Sequence, residues 1–310
     1  MNILIFGTGV IGCTYGYAFK QMGAEVSHFI RTEKRQAYPQ TINISLLDGR
    51  KKKIMRKNDL YTIEQASGSF FDLILLSVPN YQLKESMEDL IRSKIEGPIL
   101  LFCNIWEDKS SIEYMMKGKN YILGFPVAGG GFQKNHSELN CVLFRILYLE
   151  KKKNTKIPNY ESITTFFHSC GFSIETPYDM LQWIWIHIAM NMGLLNRIIA
   201  NGGIDNSEIA VKKVITSSKE LKRAIKEIRI CMKIVKKRGV KFKYFTNEII
   251  LFYLPAMISI PVIKKILKNN ILTREIILLH NNKNDLLYQR QELVKTGKIF
   301  SISMKKKNMT

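Results

Sequence analysis

The sequence predicts an α/β protein in two parts, a doubly wound parallel-sheet domain over residues 1–176 and an all-helical domain over residues 177–310. Three observations carry this reading. The chain opens on an apolar run, Asn2–Phe6, that ends at Gly7-Thr8-Gly9-Val10-Ile11-Gly12 and leads into a helical pattern. Short, continuously apolar runs then recur through the first half, as parallel strands covered on both faces require. From Pro177 onward the runs lengthen and take helical spacing.

In chain order, Asn2–Phe6 is the first strand, Gly12–Met22 the first helix and Glu25–Ile30 the second strand. Asp72–Val78, Pro98–Asn104 and Tyr121–Val127 follow as buried strands. Gly129-Gly130-Gly131 reads as a turn or as a loop approaching a ligand. Leu139–Glu150 reads as one strand reaching the basic linker Lys151–Lys156, and Phe172–Pro177 as the strand that closes the first domain. Helices are expected over Asp179–Ala200, Asn206–Arg238 and Phe245–Leu254, and from Pro261 to about Lys295.

The 310 residues carry a net charge of +21, with 46% hydrophobic and 10% aromatic residues. That composition supports a packed core and excludes a disordered chain. The charge admits attraction to nucleic acid, anionic lipid or an anionic ligand, or a chain-wide bias toward lysine. No basic-aromatic pattern or nucleic-acid motif singles out the first. The five cysteines are scattered and form no C-x-x-C pair, which fits reduced thiols in a cytoplasmic protein and neither a disulfide framework nor a zinc site. His28, His136 and His168 lack metal-ligand spacing. The amino terminus lacks the basic region of a secretory leader. Ile184–Leu195 and Ile249–Ile263 fall short of the ~20 apolar residues that cross a bilayer. A buried helix pair is expected there, with a basic-flanked interfacial anchor at Ile249–Lys265 as the alternative.

A lone GxGxxG is weak evidence, but here it follows an apolar run and opens a helix, the context of a Rossmann-type dinucleotide fingerprint. Gly7 permits the tight turn, Gly9 lets the backbone approach a pyrophosphate and Gly12 allows close helix–strand packing. The phosphates then meet the free N–H groups of the helix N-terminus. A turn with incidental glycines is the competing reading. Where an NAD binder carries an acid after the second strand, this chain has Arg31, followed by Thr32, Glu33, Lys34 and Arg35. A guanidinium can bind a 2′-phosphate with paired hydrogen bonds, so NADP(H) is the expected cofactor unless Arg31 is an ordinary solvated charge.

At these residues the chain resembles the ketopantoate reductase (2-dehydropantoate 2-reductase) family. The resemblance spans nearly the whole length: GTGVIG at the amino terminus, FIR after the second strand, LLFCN at a later strand end and WIWIHIAMN at the start of the helical part. It implies a Rossmann domain followed by a helical domain with the active site in the cleft between them. The implied activity is NADPH-dependent reduction of a 2-keto acid to a 2-hydroxy acid, as in pantothenate biosynthesis, with a homodimer as a candidate assembly. Gly7, Gly9, Gly12 and Arg31 match the family's cofactor residues. Asn104 matches an asparagine that contacts cofactor and substrate, and Asn191 one on the first helix of the second domain. Glu292 corresponds by spacing to an acidic substrate-binding residue. The departures are that the family's catalytic lysine falls at His187, a phosphate-site lysine near Pro79, and a further substrate asparagine at Leu195, beside Asn196.

Independently of the resemblance, His187 and Asn191 share one helix face, with Trp183 one turn earlier. A buried polar group left unpaired costs about 1–3 kcal/mol, so both need partners or a cleft. A satisfied core histidine is one reading. The other is a general acid that protonates the developing alkoxide, since imidazolium is available near neutrality. In that reading Asn104 and Asn191 orient the substrate, and His280, in HNNKND, is a further substrate candidate. Three functions compete: a reductase of a small keto acid, a catalytically silent NADPH-binding protein, and a binder of anionic surfaces.

Overall fold

In chain order the first unit, Met1–Leu181, runs β1 (Asn2–Phe6), α1 (Val10–Lys20), β2 (Glu25–Phe29), β3 (Thr41–Asp48), β4 (Arg56–Thr62), β5 (Leu73–Leu76), α2 (Leu83–Arg92), β6 (Ile99–Leu101), α3 (Lys109–Met116), β7 (Tyr121–Phe125), β8 (Ala128–Gln133), β9 (Glu138–Leu143), β10 (Ile146–Leu149), α4 (Tyr160–Ser169) and β11 (Ser173–Glu175). The structure, a computed structural model, describes residues 1–31, 38–133, 136–202, 207–279 and 283–304.

The expected sheet is present, with seven strands in the order β11-β10-β7-β6-β5-β1-β2. Its strands are parallel except where β10 runs antiparallel to β7. β5 and β6 are buried along their whole length, which is why they read as unbroken apolar runs. Register levels the carboxyl ends: Phe6 pairs with Phe29 on one side and Leu76 on the other, and Leu76 with Leu101. Residues after β1, β2, β5 and β6 therefore emerge at one edge, where the strand order reverses and ligands bind in such sheets.

A second sheet, β4-β3-β9-β8, was not anticipated. α1 contacts strands of both sheets, and Gly12 to Phe19 are all buried. A helix covered on every side has no room for a polar face. Its glycines make the fit: a Cβ on Gly12 would lie 2.7 Å from Ile5 Cγ2, and one on Gly16 2.2 Å from Tyr61 Oη.

Two expectations in this unit need correction. Leu139–Glu150 is not one strand: β9 pairs with β3 and β8, while β10 pairs with β7 and β11. The chain changes sheets around Arg145, which stays exposed. Gly129–Gly131 is neither turn nor ligand loop but the centre of β8, where a Cβ on Gly130 would lie 2.2 Å from the Asn140 carbonyl oxygen across the pair.

The second unit, Gln182–Thr310, is built from α5 (Met180–Ile199, which starts just before it), α6 (Ser207–Thr216), α7 (Ser218–Lys237), α8 (Thr246–Tyr253), α9 (Ala256–Asn269), α10 (Ile271–Leu279) and α11 (Lys283–Ile299). The helix expected over Asn206–Arg238 is two, because Ser217 caps α7 by accepting a 3.3 Å bond from the Glu220 backbone N–H. The stretch from Pro261 also divides: Pro261 lies inside α9, and Asn270 Oδ1 accepts from Thr273 N to start α10. Inside this unit the Glu220 carboxylate is buried and takes bonds from Arg197, Asn201 and Arg223. Burial alone would raise its pKa, and these three donors instead hold it at about 2. No helix among the described residues is long and apolar enough to cross a membrane.

Candidate functional site

At the end of β1, Gly7 takes φ +87°, the left-handed region that favours glycine. Its N–H donates to the Phe29 carbonyl at 2.9 Å, tying the loop to the end of β2. Its carbonyl is also held: His28 Nδ1 lies 2.7 Å from Gly7 O, and His28 Nε2 lies 2.7 Å from Tyr61 Oη. A carbonyl only accepts, so Nδ1 carries the proton and Nε2 accepts from the Tyr61 hydroxyl. Burial of His28 pushes its pKa down to about 4, so the neutral tautomer persists at physiological pH. Sequence reading considered His28 only as a metal ligand; its part in shaping the loop depends on Tyr61 from the second sheet.

Gly9 is the N-cap of α1, with φ −73° and ψ 170°, and neither a side-chain cap nor an acid occupies the first turn. A Cβ at Gly7 or Gly9 would meet nothing within 4 Å. Thr8 is buried, while Val10 and Ile11 are partly buried. The first turn thus offers N–H groups, with no competing side-chain acceptor, beside open space, the arrangement that receives an anion.

Arg31 follows β2 as expected, and its side chain is 14% exposed. It does not stand as a free cation: Nε donates to Asp89 Oδ2 at 2.6 Å, and Nη2 lies 3.2 Å from Glu85 Oε2, both acids on α2. Thr32 to Arg35 lie outside the described residues. Beyond the ends of β5 and β6, the buried Asn80 and the partly buried Asn104 bring side-chain amides to the same edge. Neither polar atom of the Asn80 side chain, nor Asn104 Oδ1, has a hydrogen-bond partner among the described residues. Such groups cost about 1–3 kcal/mol each when nothing meets them, which fits a polar ligand at this edge. Asn80 was missed because it is noticeable only as a residue just past a strand end.

In the helical unit, α5 places His187 and Asn191 in direct contact, Asn191 Nδ2 lying 2.9 Å from His187 Nε2. The imidazole stacks on Trp183 with ring centroids 5.4 Å apart and planes 11° from parallel. His187, Met190, Asn191 and Leu194 form a partly exposed stripe along a mostly buried helix. With Nδ2 turned to the ring, the amide donates and Nε2 accepts. Turning the amide over presents Oδ1 to a protonated Nε2, so the one contact serves both charge states.

The other family positions are committed elsewhere. Leu195 is buried, and Asn196 Oδ1 accepts from Arg290 Nε at 2.8 Å. Glu292, on α11, is partly buried with its carboxylate 2.5 Å from Lys295 Nζ. His280 lies outside the described residues. Among the described residues no cluster of histidines, cysteines or acids is placed to hold a metal ion.

The buried titratable groups make a testable pH dependence. Glu150, just past β10, accepts a 3.2 Å bond from Leu123 N, and its burial pushes its pKa up to about 7. In the unfolded chain His28 and Glu150 return to about 6.5 and 4.3. Between about 4 and 6.5 the unfolded chain binds a proton at His28 that the folded chain refuses, so this stabilisation is complete above 6.5 and lost as pH falls. Between about 4.3 and 7 the folded chain keeps a proton on Glu150 that the unfolded chain releases, so that stabilisation is complete below 4.3 and lost as pH rises. The two slopes oppose each other. Glu150→Gln removes the second, and urea unfolding of that variant should show stability falling by about 3 kcal/mol from pH 7 to pH 4. A flat profile would contradict a buried neutral His28.

Residues 3–154 match the family model described as Ketopantoate reductase PanE/ApbA. No curated protein matches the sequence. Solved structures with the same fold include the dimeric ketopantoate reductase from Staphylococcus aureus, 12% identical with a TM-score of 0.60, covering 98% of this chain and 93% of that one. D-mandelate dehydrogenase in complex with NADH is 16% identical with a TM-score of 0.64, covering 98% and 94%. The 2-dehydropantoate 2-reductase from Methylococcus capsulatus is 17% identical with a TM-score of 0.59, covering 98% and 92%. At these identities the likeness speaks for the fold.

Proposed function

We propose that this chain, whose residues 3–154 match the ketopantoate reductase family model, is an NADPH-dependent reductase that converts a small 2-keto acid into the 2-hydroxy acid. The observation that carries this reading is the built loop at the end of β1. Gly7 is in the left-handed region with its carbonyl held by His28, and α1 opens without acid or side-chain cap beside it. Gly7 to Gly12 would hold the pyrophosphate, Arg31 the 2′-phosphate, and Asn80 and Asn104 the remaining polar groups at the strand ends. The dinucleotide, when bound, supplies the hydride for carbonyl reduction.

The chain's own residues supply the rest. His187 gives a proton of its imidazolium to the developing alkoxide, and Asn191, 2.9 Å from Nε2, holds the ring by its Nδ2 or its Oδ1 according to which nitrogen keeps the remaining proton. Asn104 and Asn191 orient the carbonyl and carboxylate of the substrate. Glu292 and His280 complete the substrate contacts, Glu292 by exchanging its Lys295 partner. A homodimer in the cytoplasm belongs to the same proposal; the five cysteines are free and buried, as a reducing compartment allows.

Fluorescence titration with NADPH and NADH tests the cofactor. Wild type should bind NADPH more tightly, and Arg31→Asp should weaken NADPH binding by about tenfold or more, the equivalent of one charge-assisted hydrogen bond. Absence of binding to either dinucleotide would end the proposal.

A further inference from the structure

Arg31 faces two carboxylates along its Nε–Nη2 edge, where Nε is hydrogen-bonded and Nη2, though close to Glu85, has no hydrogen-bond partner among the described residues. Asp89 Oδ2 accepts from Nε at 2.6 Å, and Glu85 Oε2 lies 3.2 Å from Nη2. That edge is one of the forks with which a guanidinium grips a phosphate through two parallel bonds. The two acids stand one turn apart on α2 and so face the same side. They differ in freedom. The Asp89 side chain is 12% exposed and also lies 3.6 Å from Arg92 Nη1, whereas that of Glu85 is 60% exposed. Glu85 can swing into solvent; Asp89 stays as a fixed negative charge against Arg31.

We propose that Asp89, assisted by Glu85, sets how far the site discriminates NADPH from NADH, by competing with the 2′-phosphate for the Arg31 guanidinium. This rests on the reading of Arg31 as the 2′-phosphate residue. A carboxylate repels a phosphate that carries close to two negative charges, but it accepts a hydrogen bond from a free 2′-hydroxyl. The acid that NAD binders carry at the end of the second strand is absent here, and α2 brings its substitute to the same arginine from elsewhere in the chain. The site is therefore tuned between the two cofactors, with the acids on α2 as the adjustable part.

The test is dissociation constants for NADPH and NADH, with 2′,5′-ADP and 5′-AMP as fragments that lack the nicotinamide, measured for wild type, Asp89→Asn, Glu85→Gln, Arg31→Ala and the Arg31→Ala/Asp89→Asn pair. Asp89→Asn should tighten NADPH and 2′,5′-ADP by about tenfold and leave NADH and 5′-AMP unchanged or weaker. Glu85→Gln, at an exposed position that folding tolerates, should shift the ratio the same way by a smaller factor. In the Arg31→Ala background the gain from Asp89→Asn should vanish, which a general loosening of α2 would not produce. An NADPH to NADH ratio within twofold of wild type in both acid variants overturns the proposal, as does a gain that survives without Arg31. If wild type binds neither dinucleotide, the proposed function fails and this inference fails with it. Binding of both with an unmoved ratio sinks the inference alone.

Discussion

If His187 is the proposed general acid, replacing it with alanine should lower kcat for keto-acid reduction by about a hundredfold or more, the usual contribution of such a group, while the dissociation constant for NADPH should stay within about twofold. The split follows from where the residue sits. His187 belongs to the helical unit, on the partly exposed stripe of α5, and its ring is fixed by Trp183 on its face and Asn191 at Nε2. The dinucleotide loop belongs to the other unit and is shaped by His28, Phe29 and Tyr61. Removing the imidazole should therefore remove the proposed proton donor and leave the loop at the end of β1 intact. The pH profile gives an independent readout: the fall of kcat with rising pH, which reports loss of the acid, should disappear in the variant. Asn191→Leu keeps the ring but removes the Asn191 bond at Nε2, so it should displace that limb rather than abolish it. An alanine variant within a few-fold of wild type would make His187 a structural residue.

Gly193→Ala should destabilise the protein by about 3 kcal/mol or more, at the upper end for overpacking. A Cβ on Gly193 would lie 2.5 Å from both the backbone N and the Cα of Ile228. The obstacle is main chain, which no rotamer change can clear, so α5 and α7 must separate. Those helices also share the buried bonds from Arg197 and Asn201 to Glu220, which a displacement would stretch. Urea unfolding should show a midpoint well below wild type. Gly68→Ala, where a Cβ meets nothing within 4 Å, is the control and should fall within about 0.5 kcal/mol.

What could be read from the sequence is what depends on neighbours in the chain. The strand–glycine–helix start is local, and so is the run of apolar residues in β5 and β6. The second sheet was hidden because its pieces look unlike strands: β4 reads RKNDLYT, a charged edge, and β8 reads AGGGFQ, a turn. β3 does alternate, with Ile42, Ile44 and Leu46 turned inward, but its parallel partner β9 begins at Glu138, opposite Asn43. The break between α6 and α7 was legible, since Ser217-Ser218-Lys219-Glu220 is the S-x-x-E pattern of a helix start.

At the candidate site the same division holds. Gly7 to Gly12, Arg31 and the pairing of His187 with Asn191 lie where spacing places them. The function of His28 depends on Tyr61, and the state of Arg31 on Asp89 and Glu85, contacts made across tens of residues that no local pattern announces. The unmet amide of Asn80 and the unmet Oδ1 of Asn104 belong to strand ends brought level only by the register of the sheet.

The most direct test of the central claim is turnover. Purified protein with NADPH is offered a panel of 2-keto acids of increasing size and branching, and loss of NADPH absorbance is matched against the hydroxy acid formed. The account predicts one-to-one conversion for at least one member, saturable in substrate and largely abolished in His187→Ala. Tight NADPH binding with no conversion of any member would contradict it and leave a protein that holds the dinucleotide without using it.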